Sequence, residues 1–214
     1  MKPEGKKIVI LCEGETQEIA VRHFIWRQWE ADGLRPIGLR PINLRGKLED
    51  VFDYVPRYRR ESDVLAVFTL IDLYEMKRVK ADVQAELSER VTRAQHWLRN
   101  NFGADYDNFF YPHASVHEVE AWLLAEGECL AKRLKDAKIK PDRNAELKNL
   151  DNPPSKRIAS LFKAHRRNDE YHKINDGTPL FKCLQFQPVY DACPYFRMFY
   201  DELKTAGQSA LKGS

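Results

Sequence analysis

The chain has 214 residues, of which 43% are hydrophobic and 31% are charged, and its formal net charge is +3. These values are ordinary for a globular protein with one full core, and the small net charge excludes a polycation along the whole chain. The charge is nevertheless uneven, because residues 131–173 contain 13 Lys or Arg and 6 Asp or Glu, a local net charge of +7. This stretch is either a phosphate-facing surface or a solvated helical face, and charge alone favours the second interpretation.

The sequence predicts a cytoplasmic protein. No run reaches the roughly 18 apolar residues of a membrane span, and the apolar run at 8–12 is too short for a signal peptide. The cysteines, at positions 12, 129, 183 and 193, form no C-x-x-C pair. Reduced thiols in a cytosolic protein are the simplest interpretation of this spacing.

Strand and helix patterns alternate through the first 140 residues. The first predicted strand, 6–12, is apolar on both faces, as a central parallel strand is, and the strongest strand, 64–72, ends in Asp72. The other predicted elements are a helix at 17–31, a weak edge strand within 35–44, a helix at 48–60, a helix at 80–100, a strand at 109–117 interrupted by Pro112, and a helix at 118–134. This alternation predicts an α/β fold with a parallel sheet of about four strands and helices on both faces.

After residue 140 the pattern changes to short helices separated by prolines. We predict helices at 155–165 and 193–206, and a frayed tail at 207–214. The predicted domains are therefore an α/β domain, 1–140, and a helical extension packed on it, 141–214.

Two of the strong strands end in an acidic residue. Glu13 follows the first strand and Asp72 ends the strand at 64–72. Ligands of parallel α/β sheets bind beyond the carboxyl ends of the strands, so these carboxylates lie within reach of one ion if the strands are neighbours. Carboxylate oxygens suit Mg²⁺ or Mn²⁺, which typically also contact substrate phosphate. Each acid alone is more often a structural residue, and it is the combination that indicates a metal site.

A third acidic position follows the strand at 109–117. Glu118 and Glu120 alternate if the strand continues, and lie about 200° apart if the helix has begun. In either case only one of them is expected to point into a shared site.

These residues resemble a known pattern. The order of Glu-Gly after the first strand, Asp at the end of a later strand and a final acidic motif is similar to the Toprim domain of topoisomerases, bacterial primases and overcoming-lysogenization-defect nucleases. More closely, the chain resembles the Toprim-like family catalogued as domain of unknown function 4276. The landmarks are CEGETQE (12–18), TLIDLYEMK (69–77), HEVEAWLLAE (117–126), NPPSKRI (152–158) and CPYFRMF (193–199).

The resemblance implies a Rossmann-like Toprim fold and a metal-dependent phosphoryl-transfer site. It implies Glu13, Asp72 and Glu120 as catalytic and metal-binding residues, with Glu118 as the second choice for the last position. It also suggests a nucleic-acid substrate, a separate ABC-type or chromosome-segregation-type ATPase as partner, and a role in phage defence, while homo-oligomerisation stays open.

The chain departs from the Toprim pattern at two positions. The usual second aspartate of Asp-x-Asp is replaced by Tyr74, and Gln17 stands where the first motif ends in an acid. Gln17 and Tyr74 are therefore secondary site residues, and Gln17 can still coordinate through its amide oxygen. These changes keep a second function open, a non-catalytic subunit that binds nucleic acid or regulates a partner.

Lys156 and Arg157 are the candidate phosphate-binding residues. They follow Pro153 and Pro154, and they contact phosphate if this turn folds back over the sheet. The alternative is an exposed helix start, and the residues alone weigh the two equally. The leading hypothesis is thus a nuclease that uses Mg²⁺ or Mn²⁺ to cleave DNA or RNA.

Overall fold

The fold is built on a parallel sheet, described here from a computed structural model for residues 5–73, 86–116, 118–147, 152–165 and 170–212. Its strands are β1 (Lys7–Cys12), β2 (Gly38–Asn43), β3 (Val64–Asp72), β4 (Phe110–Tyr111) and β5 (Ala114–Ser115). The strand order is β2-β1-β3-β4, β5 also pairs with β3, and all of these pairings are parallel. The predicted α/β class and its parallel sheet are confirmed.

The two strongest strands are neighbours, as their apolar sequences and acidic ends predicted. In the β1–β3 register Cys12 lies opposite Leu70, and the Glu13 N–H donates to the Leu70 carbonyl at 3.3 Å. Because β1 and β3 run in the same direction, Glu13 and Asp72 lie at the same edge of the sheet, where the carboxyl ends of the strands meet.

The weaker strands lie at the flanks of the sheet. β2 is an edge strand that contains Pro41, which a central strand would not accommodate. The predicted strand at 109–117 is divided into β4 and β5, with Pro112 and His113 between them. There the Thr69 hydroxyl donates to the His113 carbonyl and accepts from its N–H, each at 2.8 Å, and so replaces the interrupted strand pairing.

Helices cover both faces of the sheet. Those of the described residues are α1 (Glu15–Ala20), α2 (Trp26–Ala31), α3 (Val51–Arg59), α4 (Leu87–Arg99), α5 (Glu120–Glu126), α6 (Glu128–Leu134), α7 (Pro154–His165), α8 (Gly177–Cys183), α9 (Phe186–Ala192) and α10 (Pro194–Lys212). A π-helical segment, Val21–Ile25, joins α1 to α2, so the predicted helix at 17–31 is continuous. Of the helix predicted at 80–100, α4 forms the part from Leu87, Glu86 is its non-helical N-cap, and residues 80–85 lie outside the described residues.

Alternate residues of the strands point into two separate hydrophobic cores. Val9 and Leu11 face α3 and α4, whereas Ile8, Ile10 and Phe68 face the core that contains α1, α2 and α5 to α10. The helices after residue 140 thus pack on the sheet through the same core as the first helices. The domain boundary at 140 stays a prediction.

Two helix predictions need correction. The helix predicted at 118–134 is interrupted at Gly127, which has φ 69° and separates α5 from α6. A Cβ at this glycine would lie 2.8 Å from the Pro141 nitrogen, so a close approach of two chain segments determines the break. The tail predicted to fray instead continues α10 to Lys212, because Gly207 lies directly against the buried indole of Trp29.

The expectation of reduced thiols is wrong for one pair of cysteines. Cys129 on α6 and Cys183 on α8 form a disulfide across 54 residues of sequence, whereas Cys12 and Cys193 are free and buried. Spacing did not reveal the pair, because connectivity depends on how α6 packs against α8. The cysteine argument for a reducing compartment is therefore lost.

In the described part of the chain, no helix has both the length and the apolar character needed to cross a membrane.

Candidate functional site

Glu13 and Asp72 meet at the carboxyl edge of the sheet. The Glu13 carboxylate accepts a hydrogen bond from the backbone N–H of Asp72 through Oε2, at 2.7 Å. This contact holds the Glu13 side chain across the gap between β1 and β3. The expectation that the two residues lie side by side is confirmed.

The Asp72 carboxylate is held by two neutral donors. Its Oδ1 accepts from the Ser115 hydroxyl at 2.6 Å and from the Gln17 amide nitrogen at 3.1 Å. Burial, with a smaller contribution from the charge of Glu118, raises the pKa of Asp72 to about 7, although these two hydrogen bonds and the charge of Lys173 oppose the rise. Because the pKa lies near neutrality, the site favours a cation that can stabilise the ionised carboxylate.

Glu120 begins α5 and is 1% exposed. Its Oε1 is buried and has no hydrogen-bond partner among the described residues. Burial raises the pKa of Glu120 to about 7; the charge of Lys173 opposes this rise, whereas the charges of Glu118 and Asp72 contribute to it. A buried carboxylate oxygen without a donor is costly, so this atom is suited to bind a cation.

Glu118 lies beside Glu120 but has a different role in the fold. Its Oε2 accepts a hydrogen bond from the Ser155 N–H at 2.8 Å, at the beginning of α7. Glu118 therefore stabilises the N-terminal end of a helix, as a carboxylate at that position does. Of the two alternatives that the sequence left open, Glu120 is the one that lines the cavity at the sheet edge.

Lys173 brings a positive charge to this acidic group. Its Nζ lies 3.5 Å from Glu118 Oε1 and 3.8 Å from Glu120 Oε1. Burial lowers the pKa of Lys173, but Glu120, Glu118 and Asp72 together raise it above its ordinary value. The ammonium is thus the cation that partly neutralises the carboxylates in this structure.

A cavity of about 250 Å³ opens between these side chains. Glu13, Gln17, Asp72, Glu120 and Lys173 line it. No three His, Cys, Asp or Glu side chains of the described residues are already arranged as a set that could hold a metal ion. The donors present still fit a hard divalent cation, because they are carboxylate oxygens and one of them, Glu120 Oε1, is buried without a donor.

The family follows from the whole sequence. The model of the family described as "Domain of unknown function (DUF4276)" matches residues 12–204. The chain belongs to this family. The family predicted from the sequence is thereby confirmed, and no curated protein matches the chain.

Two solved structures are similar to this family member over almost the whole chain. One is the C-terminal region of the OLD protein of Xanthomonas campestris pv. campestris, with 13% identity, a TM-score of 0.45, and 97% of this chain and 98% of that chain covered. The other is the C-terminal region of the Burkholderia pseudomallei OLD protein, with 16% identity, a TM-score of 0.44, and 94% and 98% covered.

The remaining predicted site residues have different positions. Tyr74 lies outside the described residues. The amide nitrogen of Gln17 faces Asp72, so its oxygen does not point at that carboxylate. Arg157 pairs with Asp142 at 2.6 Å, whereas Lys156 is exposed on the first turn of α7.

Ser115 and Lys173 are site residues of this family member that no sequence motif predicted. Ser115 ends β5 opposite Asp72, so its place at a strand end was a usable signal. Lys173 lies in the segment before α8, where no periodic pattern or motif marks it. Only the packing of that segment against Glu118 and Glu120 brings it to the site.

Proposed function

We propose that this protein is a metal-dependent nuclease that cleaves phosphodiester bonds in DNA or RNA. The observation that carries the proposal is the convergence of Glu13, Asp72, Glu120 and Lys173 on one cavity at the carboxyl edge of the sheet. Carboxylates gathered with one orphaned oxygen suit a cation, and a cation beside a lysine suits an anionic substrate. Membership of a Toprim-like family supports the same chemistry.

Asp72 and Glu120 are the proposed ligands of Mg²⁺ or Mn²⁺, and Glu13 is the proposed third ligand. Glu118 is the second choice for the position that we assign to Glu120. When bound, the ion supplies Lewis-acid stabilisation of the charge that develops on phosphate oxygen. Ser115 and Gln17 keep the Asp72 carboxylate in a single orientation through their hydrogen bonds. They preorganise that ligand, because a carboxylate already held in place needs no reorganisation when the ion binds.

Lys173 and Glu13 are the proposed substrate-facing groups. In hydrolysis the oxygen of water forms a new bond to phosphorus, the bond to the ester oxygen breaks, and a proton must reach the departing oxygen. Where Glu13 does not bind the ion, it is the proposed general acid or base: it lines the cavity and would take the proton of the attacking water or supply one to the departing oxygen. The Lys173 ammonium, already among the carboxylates, is placed to attract the phosphate.

The wider biological role is proposed from the family resemblance. On this basis the proposed role is action on nucleic acid in phage defence. The proposed partner is a separate ABC-type or chromosome-segregation-type ATPase. The proposed setting is the cytoplasm.

The second candidate is a non-catalytic subunit that binds nucleic acid or regulates a partner. The second Toprim aspartate is replaced by Tyr74, and Lys173 already lies within 3.8 Å of the Glu120 carboxylate. A site neutralised by a lysine can bind a phosphate backbone without cleaving it.

A cleavage assay separates the two candidates. Single- and double-stranded DNA and RNA are incubated with Mg²⁺, Mn²⁺ or a chelator, with and without the partner ATPase. The nuclease proposal expects cleavage that the chelator and Glu120→Gln both abolish. Asp53→Asn is the matched control, because it removes one exposed carboxylate from α3. Binding without cleavage of any substrate would support the non-catalytic candidate instead.

A further inference from the structure

Helix α7 presents two different faces. Pro154, Ile158 and Phe162 are buried, whereas Lys156, Ser160 and Lys163 are exposed. The helix contains basic residues and no acidic residue. We call Lys156, Ser160 and Lys163 the α7 face.

This helix starts at the candidate site. The Ser155 N–H at its first turn donates to Glu118 Oε2, and Glu118 Oε1 lies 3.5 Å from Lys173, which lines the cavity. The first turn of α7, which contains Lys156, therefore lies beside the site, and Lys163 lies about two turns further along the helix. The carboxylate of Glu118 already accepts a hydrogen bond at the N-terminus of α7. An external anion would therefore bind to the lysines of the α7 face and not to the helix end.

Other cations of the same helix are already neutralised. Arg157 pairs with Asp142 at 2.6 Å, and His165 contacts Asp136 at 2.7 Å. By contrast, no carboxylate of the described residues forms an ion pair with Lys156 or Lys163. These two lysines can therefore bind an external anion without breaking an internal contact.

The spacing of the two lysines fits a phosphate backbone. Seven residues of helix separate them by about 10 Å along the axis. A stacked nucleic-acid strand has a phosphate every 3.4 Å, so about three phosphates span this distance. A linear array of anions therefore matches the α7 face better than a single small anion does.

We propose that the α7 face binds the sugar–phosphate backbone of a nucleic acid strand next to the segment held at the carboxylate site. The proposal deepens the proposed function, on which the identity of the neighbouring site rests, but backbone binding itself requires no cleavage. It assigns Lys156 and Lys163 to phosphate contacts and leaves Arg157 as a structural partner of Asp142. Sequence-independent binding with a strong dependence on salt follows from contacts of this kind.

The test is a salt titration of oligonucleotide binding by fluorescence anisotropy in the presence of a chelator. Lys156→Ala/Lys163→Ala should weaken binding and lower the slope of log K against log salt by about 1.4 for single strands and about 1.8 for duplexes. Arg57→Ala/Arg60→Ala is the matched control. It removes the same charge from exposed positions at the end of α3, which leads to the start of β3 at the opposite edge of the sheet. Thermal melting checks that both variants are folded.

Several results would overturn the proposal. The salt slope of the α7 variant could equal that of the wild type, or the control variant could lose as much slope as the α7 variant. The wild type could also fail to bind oligonucleotides at low salt. Finally, the α7 variant could bind oligonucleotides as the wild type does but lose binding to anionic lipid vesicles. The cleavage assay is independent of these. A reduced slope in the α7 variant of a protein that never cleaves would support the α7 face and refute the nuclease. Cleavage by the wild type, together with an unchanged salt slope in the α7 variant, would support the nuclease and refute phosphate binding by the α7 face.

Discussion

Replacing Asp72 by asparagine should stabilise the metal-free protein. The ordinary pKa of this carboxyl is 3.8, and burial raises it to about 7 in the folded protein. A difference of about three pKa units corresponds to roughly 4 kcal/mol above pH 7. Part of the Asp72 surface remains exposed, so water screens some of this cost. We therefore expect the substitution to raise the unfolding free energy by about 1 to 3 kcal/mol.

The local structure permits this substitution. Asp72 uses the single oxygen Oδ1 to accept from both Ser115 and Gln17, and an asparagine Oδ1 can accept the same two hydrogen bonds. The contact from the Asp72 N–H to Glu13 involves the backbone and is unaffected. The main change is thus the loss of a charge that is costly in the folded state.

The pH dependence of the gain has a defined sign. A folded-state pKa above the unfolded value means that the wild type is stabilised by proton binding below about pH 4 and loses this stability as the pH rises to about 7. Asparagine does not titrate. The difference in unfolding free energy between Asp72→Asn and the wild type should therefore be near zero at pH 4 and reach its maximum above pH 7.

Urea denaturation at pH 4 to 8, with and without Mn²⁺, measures both effects. Mn²⁺ at 100 times its dissociation constant should stabilise the wild type by about 2.7 kcal/mol and leave Asp72→Asn unchanged. A variant that is less stable than the wild type at pH 8 would refute the reasoning from the pKa. A variant that Mn²⁺ still stabilises equally would remove Asp72 from the metal site.

Three further predictions concern residues that the structure brought to notice. Reducing the Cys129–Cys183 disulfide should lower the unfolding free energy by about 4 kcal/mol, the entropy of a loop of this length, and an unchanged urea midpoint with dithiothreitol would mean that the bond does not form. Lys173→Met should lower metal-free stability at pH 8 and tighten Mn²⁺ binding several-fold in calorimetry, because the ammonium otherwise neutralises the carboxylates; weaker binding would contradict this role. Gly207→Ala should lower the melting temperature despite the better helix propensity of alanine, because its Cβ would overlap the Trp29 indole, and a higher melting temperature would contradict this packing.

The sequence by itself determined the central sheet and the first two acids of the site. The strand predicted at 64–72 is β3 without a change of boundary, and that at 6–12 is β1 with one residue fewer. Continuous apolar runs specify buried parallel strands locally, and a parallel pair necessarily brings its carboxyl ends to one edge. The proximity of Glu13 to Asp72 followed from these two facts.

The choice between Glu118 and Glu120 required the tertiary structure. Sequence spacing showed that the two point in different directions but could not say which direction is inward. In the folded protein, Glu118 accepts a hydrogen bond from the Ser155 N–H, whereas Glu120 lines the cavity. The same packing joined Arg157 to Asp142 and so separated it from Lys156 as a candidate for phosphate binding.

The contacts of Lys173, the disulfide and the end of α10 were decided only by packing between distant segments. Lys173 lies 53 residues from Glu120, Cys129 lies 54 residues from Cys183, and Gly207 contacts a tryptophan at the other end of the chain. Periodicity and capping signals describe at most a few turns of helix or one strand. They contain no information on which segment covers another, and at this site the covering segment provides the lysine that neutralises the carboxylates.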